Sequence, residues 1–194
     1  ILTRLNHPGV VRIFLIPLDG AKEQVYMARA SNLEGQPWYY AMEYLAGGSL
    51  SHILRSTGAL PLELAAAIGY QVAQALEYLH NRGIAHLDVK PDNILFRHPC
   101  VRDALIEPVL IDFGVAAHTK SVVASGGTLY TMSPEYLLKV RGQRDPVLPI
   151  DLRKVDIYAF GVVLYRMWTG RYPFNGLTER SLTSAILNNE LQLP

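Results

Sequence analysis

The residues best equipped for chemistry lie together in His86-Leu87-Asp88-Val89-Lys90-Pro91-Asp92-Asn93, with a second acidic centre at Asp112-Phe113-Gly114. Asp88 supplies a carboxylate that can take a proton, Lys90 a fixed positive charge, and Asn93 and Asp112 oxygen donors. Hard oxygen donors suit Mg2+, which commonly binds through one or two protein groups plus substrate phosphates. A base, a cation and a metal platform form the working set for phosphoryl transfer, a reaction governed by positioning and charge neutralisation more than by covalent chemistry. A single Asp or Lys in a loop is ordinarily a solvated charge. An ordered set bracketed by the apolar runs Ile94-Leu95-Phe96 and Val109-Leu110-Ile111 points instead to a built site.

The elements that must hold these residues follow from pattern. Ile94 to Phe96 and Val109 to Ile111 read as short strands flanking a polar insertion, Arg97 to Pro108. Upstream, Leu60-Pro61 opens a long helix that runs to about Asn81, before Gly83. Its Leu64, Ala67, Ile68, Val72, Ala75, Leu76 and Leu79 recur at helical spacing and are expected on one buried stripe. Downstream, Asp151 to Thr169 reads as a very apolar helix stopped by Gly170, and Leu177 to Asn189 as an amphipathic one.

The first part of the chain is strand-rich. Ile1 to Asn6 reads as a helix end, stopped at His7-Pro8-Gly9 because proline disfavours helical backbone in its predecessor. Val10 to Leu18 reads as a strand leading to an Asp19-Gly20 turn, Val25 to Ala30 as another, and Trp38 to Leu45 as a third that ends at Gly47-Gly48. Ser49 to Arg55 reads as a short helix capped by Ser49. Strands followed by long helices imply an α+β fold with a small sheet layer and a helical layer, not a doubly wound sheet.

Composition narrows the class. With 194 residues, 49% hydrophobic and 18% charged, the chain has the size and balance of one globular domain. Lys and Arg number 18 against 17 Asp and Glu, so nothing supports a general attraction for nucleic acid or anionic membrane. Cys100 is the only cysteine, which excludes an intrachain disulfide and favours a reducing compartment, so a cytoplasmic setting is expected. No uncharged apolar run reaches the roughly 18 residues that a membrane-spanning helix needs.

The segment from His86 to Asn93 resembles the catalytic loop of eukaryotic-type serine/threonine protein kinases, and Asp112-Phe113-Gly114 is similar to their magnesium-binding motif. The resemblance implies a bilobal kinase-like fold, with residues 1–45 forming part of the smaller lobe and the hinge, and residues 46–194 part of the larger lobe. It implies that Asp88 accepts the proton of a substrate Ser or Thr hydroxyl, that Lys90 neutralises the γ-phosphate of ATP, and that Asn93 and Asp112 hold Mg2+. Lys90-Pro91 is similar to the serine/threonine branch.

The order of the remaining motifs agrees. Leu5-Asn6-His7-Pro8 resembles the end of the family's helix C, and Met42-Glu43-Tyr44-Leu45 its gatekeeper and hinge. By the resemblance, Met42 is the gatekeeper, the backbone of Glu43 and Leu45 faces adenine, and Leu95 also lines the nucleotide site. Thr128 is implied to contact Asp88 and Lys90, ahead of Ser133-Pro134-Glu135, which resembles the motif closing the activation segment. Asp156 and Gly161 match the helix whose aspartate braces the catalytic-loop backbone, and Trp168, Gly170, Pro173 and Phe174 the segment after it.

Two features depart from the family pattern. Leu87 stands where an arginine normally pairs with a phosphate on the activation segment, so phosphorylation of Thr119, Ser121 or Ser125 is not expected to be obligatory. Tyr130-Thr131-Met132 lacks the usual tyrosine directly before methionine. No glycine-rich loop, strand lysine or helix C glutamate of the family type occurs. They are expected upstream of Ile1, and this stretch alone is expected to bind ATP weakly. The expected partners are ATP and a protein substrate, with no nucleic acid and no membrane segment. The competing readings are a pseudokinase scaffold, a small-molecule kinase of similar fold, and a metal-dependent hydrolase. Intact Asp88, Lys90, Asn93 and Asp112 count against the first, Ser133-Pro134-Glu135 against the second, and the hinge-like segment with Lys90 against the third.

Overall fold

The computed structural model describes residues 2–17, 24–25, 27–30, 32–99, 106–113, 117–118, 128–143 and 149–191. A 3-10 turn, Leu2–Arg4, stands where the helix end was expected. Six short strands follow: β1 (Ile13–Phe14), β2 (Ile16–Pro17), β3 (Gln24–Val25), β4 (Ala28–Arg29), β5 (Trp38–Tyr39) and β6 (Ala41–Met42). They pair antiparallel as β1 with β6, β2 with β3 and β4 with β5. The single strands expected over 10–18 and 38–45 are thus each divided. Pro17 has no N–H to extend a ladder, and successive pieces turn to different partners.

Beyond residue 45 the helices dominate. They are α1 (Leu50–Thr57), α2 (Leu62–His80), α3 (Pro134–Val140), α4 (Leu152–Thr169) and α5 (Glu179–Leu187). Between α2 and α3 lie β7 (Ile84–Ala85), β8 (Ile94–Phe96), β9 (Pro108–Leu110) and β10 (Ala117–His118). β8 pairs with β9 in the register Ile94↔Leu110, and β7 with β10. Small antiparallel pairs ahead of a helical layer give the mixed, bilobal kinase-like fold expected.

Local signals start and stop these helices. The Ser49 side chain accepts from the His52 N–H at the head of α1. Asp151 does the same for Arg153 at the head of α4, which ends at Gly170 in the left-handed region at φ 75°. α3 has Pro134 at its start, where the missing N–H costs nothing.

Helix α4 organises the core. Its Ala159, Val163 and Met167 pack into a cluster with Ile68, Val72 and Leu76 of α2 and with Ile94, Phe96 and Leu110 of β8 and β9. Its Leu152 and Val155 belong to a second cluster with Tyr136 and Leu137 of α3 and Leu182 and Ile186 of α5. An apolar surface nearly all round is what a helix between two cores requires.

The buried stripe of α2 differs from expectation in one respect. Ala67 is exposed, whereas Ala65 and Gly69 are buried. A Cβ on Gly69 would stand 2.8 Å from Leu164 Cδ2, so α4 packs closely at Gly69 and the buried face includes small residues beside the large apolar ones.

The sheet-rich and helical parts are joined by backbone. The Val11 N–H donates to the Leu110 carbonyl (3.0 Å), and the Leu110 N–H to the Gly9 carbonyl (2.9 Å). Gly47 donates to the Phe96 carbonyl at 2.8 Å; a Cβ there would fall 2.2 Å from the His98 carbonyl oxygen, so only glycine fits. Among the described residues no helix is long and apolar enough to cross a membrane.

Candidate active site

The loop after β7 is shaped by a carboxylate from α4. Asp156 is fully buried; its Oδ2 accepts from the His86 N–H (2.8 Å) and its Oδ1 from the Leu87 N–H (2.7 Å). His80, in the last turn of α2, places Nε2 2.7 Å from the same Oδ2. These bonds hold Leu87 at φ 65°, a conformation that a bulky residue adopts only under constraint.

His86 beside it is fully buried and neutral. Burial is the largest influence on its pKa and lowers it below the usual imidazole value, against the pull of Asp156, Asp88 and Asp112. Its Nδ1 accepts from the Asp88 N–H (3.3 Å), so the proton sits on Nε2, which donates to the Ile111 carbonyl (2.9 Å). The ring also packs 5.0 Å from Phe113, linking the loop to the Asp112-Phe113 segment.

Three of the sequence-predicted residues converge on the carboxylate of a fourth, Asp88. Asp88 Oδ2 accepts from Lys90 Nζ (2.7 Å) and Asn93 Nδ2 (2.9 Å), and Oδ1 accepts from the Thr128 hydroxyl (2.9 Å). Lys90 Nζ also donates to Thr128 Oγ1 (2.8 Å), closing the net. Burial works to raise the Asp88 pKa but is outweighed by the hydrogen bonds from Lys90 and Thr128 and by the Lys90 charge, so it falls below the usual carboxylate value. Asp88 is therefore ionised throughout the neutral range.

The oxygen donors are adjacent. The Asn93 carbonyl accepts from the Ile111 N–H (3.0 Å), which places Asp112 one residue beyond that bond. Both Asn93 Nδ2 protons face Asp88, leaving Oδ1 as the remaining acceptor of that side chain. Asp112 is exposed and has φ 63°, a second strained position in the site. Among the described residues no cluster of three or more His, Cys, Asp or Glu side chains could hold a metal ion. One Asp and one Asn suit an ion that keeps water and phosphate oxygens.

The hinge-like residues lead into Ala46 and Gly47, which bond to Arg97 and Phe96 at the end of β8, and among the described residues no hydrogen bond joins them to Asp88. Met42 is half-buried and pairs with Ile13 across β1 and β6. Glu43 donates its N–H to the Arg12 carbonyl, while its carboxylate accepts from the Arg12 N–H (2.9 Å) and ion-pairs with Arg97. Burial pushes the Glu43 carboxyl up, but the Arg97 and Arg12 hydrogen bonds outweigh it and hold the pKa below normal. Among the described residues no protein hydrogen bond engages the Glu43 carbonyl or the Leu45 N–H. Leu95 is half-buried between the fully buried Ile94 and Phe96.

Leu87 is almost fully buried in the second core cluster, with Met132 and Tyr136. Apolar packing thus occupies the position where the family pattern has a cation. Tyr158 carries a phenol pushed up to about 12, by burial first and then by the charge of Glu135. Cys100, Gly114, Thr119, Ser121, Ser125 and Gly127 lie outside the described residues. Sequence reasoning missed His80 as a partner of Asp156, and it missed the stack of Tyr130 on Tyr172 (4.7 Å) with Arg166 against it. The only signal for His80 was a histidine closing α2.

The protein kinase domain family matches residues 1–193, and the chain belongs to that family. It is 40% identical over 146 residues, 71% of its length, to a probable serine/threonine-protein kinase of Clostridium perfringens. It is 31% identical over 199 residues (96% of the chain) to serine/threonine-protein kinase RAD53 of Saccharomyces cerevisiae. Over 198 residues (98% of the chain) it is 30% identical to serine/threonine-protein kinase PrkC of Bacillus subtilis. The chain spans 19%, 21% and 25% of the lengths of these three relatives.

The Asp88 net makes a direct prediction. Lys90→Met removes both the strongest donor and the neighbouring charge, so the Asp88 pKa should rise. Carboxyl NMR titration should show a higher midpoint for Asp88 in the variant; an unchanged midpoint would mean that Lys90 does not set the charge state.

Proposed function

We propose that the protein carrying this domain transfers the γ-phosphate of ATP to Ser or Thr hydroxyls of protein substrates. The observation that carries the reading is the closed net of Asp88, Lys90, Asn93 and Thr128 on a loop braced by Asp156. Family membership and the Lys90-Pro91 pair support the same reading.

In this reading Asp88 orients the acceptor hydroxyl and takes its proton. A carboxylate whose pKa is depressed is a weak base, which suits a transition state in which bond breaking to the leaving group runs ahead of proton transfer. Lys90 carries the positive charge toward the transferring phosphoryl group, and Thr128 fixes the Lys90–Asp88 geometry. Asn93 Oδ1 and the Asp112 carboxylate would hold Mg2+, which supplies neutralisation of phosphate charge. The Glu43 carbonyl and the Leu45 N–H offer an acceptor and a donor to the adenine edge, with Met42 and Leu95 as apolar walls. Residues 1–45 then belong to the smaller lobe and hinge and 46–194 to the larger lobe. The need for ATP fits a cytoplasmic location.

Phosphorylation of Thr119, Ser121 or Ser125 is not required in this account, since Leu87 offers no charge to receive a phosphate and is held by apolar packing. Radiolabelled phosphate transfer by the full-length protein tests the main reading. Asp88→Asn should lower the rate by about 10²–10⁴-fold; transfer at the wild-type rate would refute the assignment. Alanine at all three activation-segment positions together should leave the rate within about threefold, far inside the range an essential group commands. A loss of a hundredfold would show that a phosphate there is needed.

A further inference from the structure

Next to the catalytic net stands a cation that, among the described residues, forms no ion pair with a carboxylate. Arg166 lies in the last turn of α4, is half-buried, and donates through Nη1 to the Gly170 carbonyl. Its guanidinium is 5.1 Å from the centre of the Tyr172 ring, and Tyr172 stacks on Tyr130 at 4.7 Å and 26°. Tyr130 sits in the 3-10 turn Leu129–Thr131, whose cap is Thr128, the residue bonded to both Asp88 and Lys90. The row Arg166, Tyr172, Tyr130 therefore leads, within two residues of chain, to the carboxylate assigned to the acceptor hydroxyl.

Two charges compete in this cradle. Asp92 also acts on the Tyr172 phenol, but less strongly than Arg166, with burial the largest influence of all. The Asp92 side chain is 56% exposed and faces Arg55 Nη1 at 4.0 Å, so solvent and a neighbouring cation both weaken it. Among the described residues Arg166 uses one of its five N–H donors, toward Gly170, and its guanidinium stands over the Tyr172 ring. An oriented, partly desolvated guanidinium is a receptor for carboxylate or phosphate oxygens.

We propose that Arg166, mounted on Tyr172 and Tyr130, is a specificity determinant that receives an anionic side chain of the protein substrate close to the acceptor residue. The inference rests on the kinase reading above and adds the chemistry that the substrate must carry. The alternative role for Arg166 is a C-terminal cap for α4, since a cation there complements the helix dipole. A cap alone would affect stability and leave substrate choice unchanged.

The test uses the full-length protein and serine-acceptor peptides that differ by one residue, Glu, phosphoserine, Gln or Arg, at each position near the acceptor. At one position Glu or phosphoserine should raise kcat/KM over Gln by about tenfold, mainly through KM. The Glu and phosphoserine arms tell a carboxylate from a phosphate ligand. Arg166→Gln, which retains a donor for the Gly170 carbonyl, should abolish the preference, and Arg166→Glu should turn it toward Arg. An unchanged ranking in Arg166→Gln, or a wild-type preference for Arg at that position, overturns the proposal while leaving the kinase reading intact. Absence of transfer to every peptide removes both.

Discussion

The Asp156 carboxylate is the constraint on which the site depends. It is wholly buried in a helix that belongs to both hydrophobic clusters, an expensive place for a charge unless its oxygens are well bonded. The His86 and Leu87 N–H groups and His80 Nε2 provide those bonds. Losing one partner of such a buried set typically costs about 3–5 kcal/mol. Part of that energy holds Leu87 in a left-handed conformation that costs a bulky residue about 1–2 kcal/mol. The turn this creates aims the next side chain, the buried Asp88, at Lys90, Asn93 and Thr128. Rigid helix, strained turn and the hydrogen-bonded Asp88 carboxylate form one mechanical sequence.

The second support is the join between the two parts of the molecule. β8 begins directly after Asn93 and receives, at its other end, the Gly47 N–H from the hinge. Arg97, just past β8, pairs with Glu43 and also donates to the Pro8 carbonyl (3.1 Å). One short strand therefore fixes the distance between the Asp88 net and the Glu43 carbonyl and Leu45 N–H, which among the described residues carry no protein hydrogen bond. A nucleotide held by its base at one end and its phosphates at the other requires such a ruler.

Much of this was legible in the sequence, for physical reasons. The meeting of Asp88, Lys90 and Asn93 was readable because Asp, Lys and Asn occur at close spacing between apolar strands. The long helices were readable because burying a face leaves a 3.6-residue period, and Ser49 and Gly170 mark ends through local backbone bonding. Elements of two or three residues were less so. β7 and β10 carry no period of their own, and the ladders of the first part depend on which piece turns to which. The exchange of Ala67 for Ala65 and Gly69 on the buried face of α2 was hidden because small residues carry little hydrophobic signal of which way they face. The bond from His80 to Asp156 spans 76 residues and has no local signature.

Asp156 holds the loop through the His86 and Leu87 N–H groups, and hydrogen exchange at these two backbone amides reads that hold. In the wild-type full-length protein both amides should exchange only with global unfolding. In Asp156→Asn, where an amide replaces one acceptor, exchange at both should accelerate by about a hundredfold, the equivalent of about 2.7 kcal/mol of lost protection. If both amides exchange at the same slow rate in the variant, the loop is held by something else and the account is wrong.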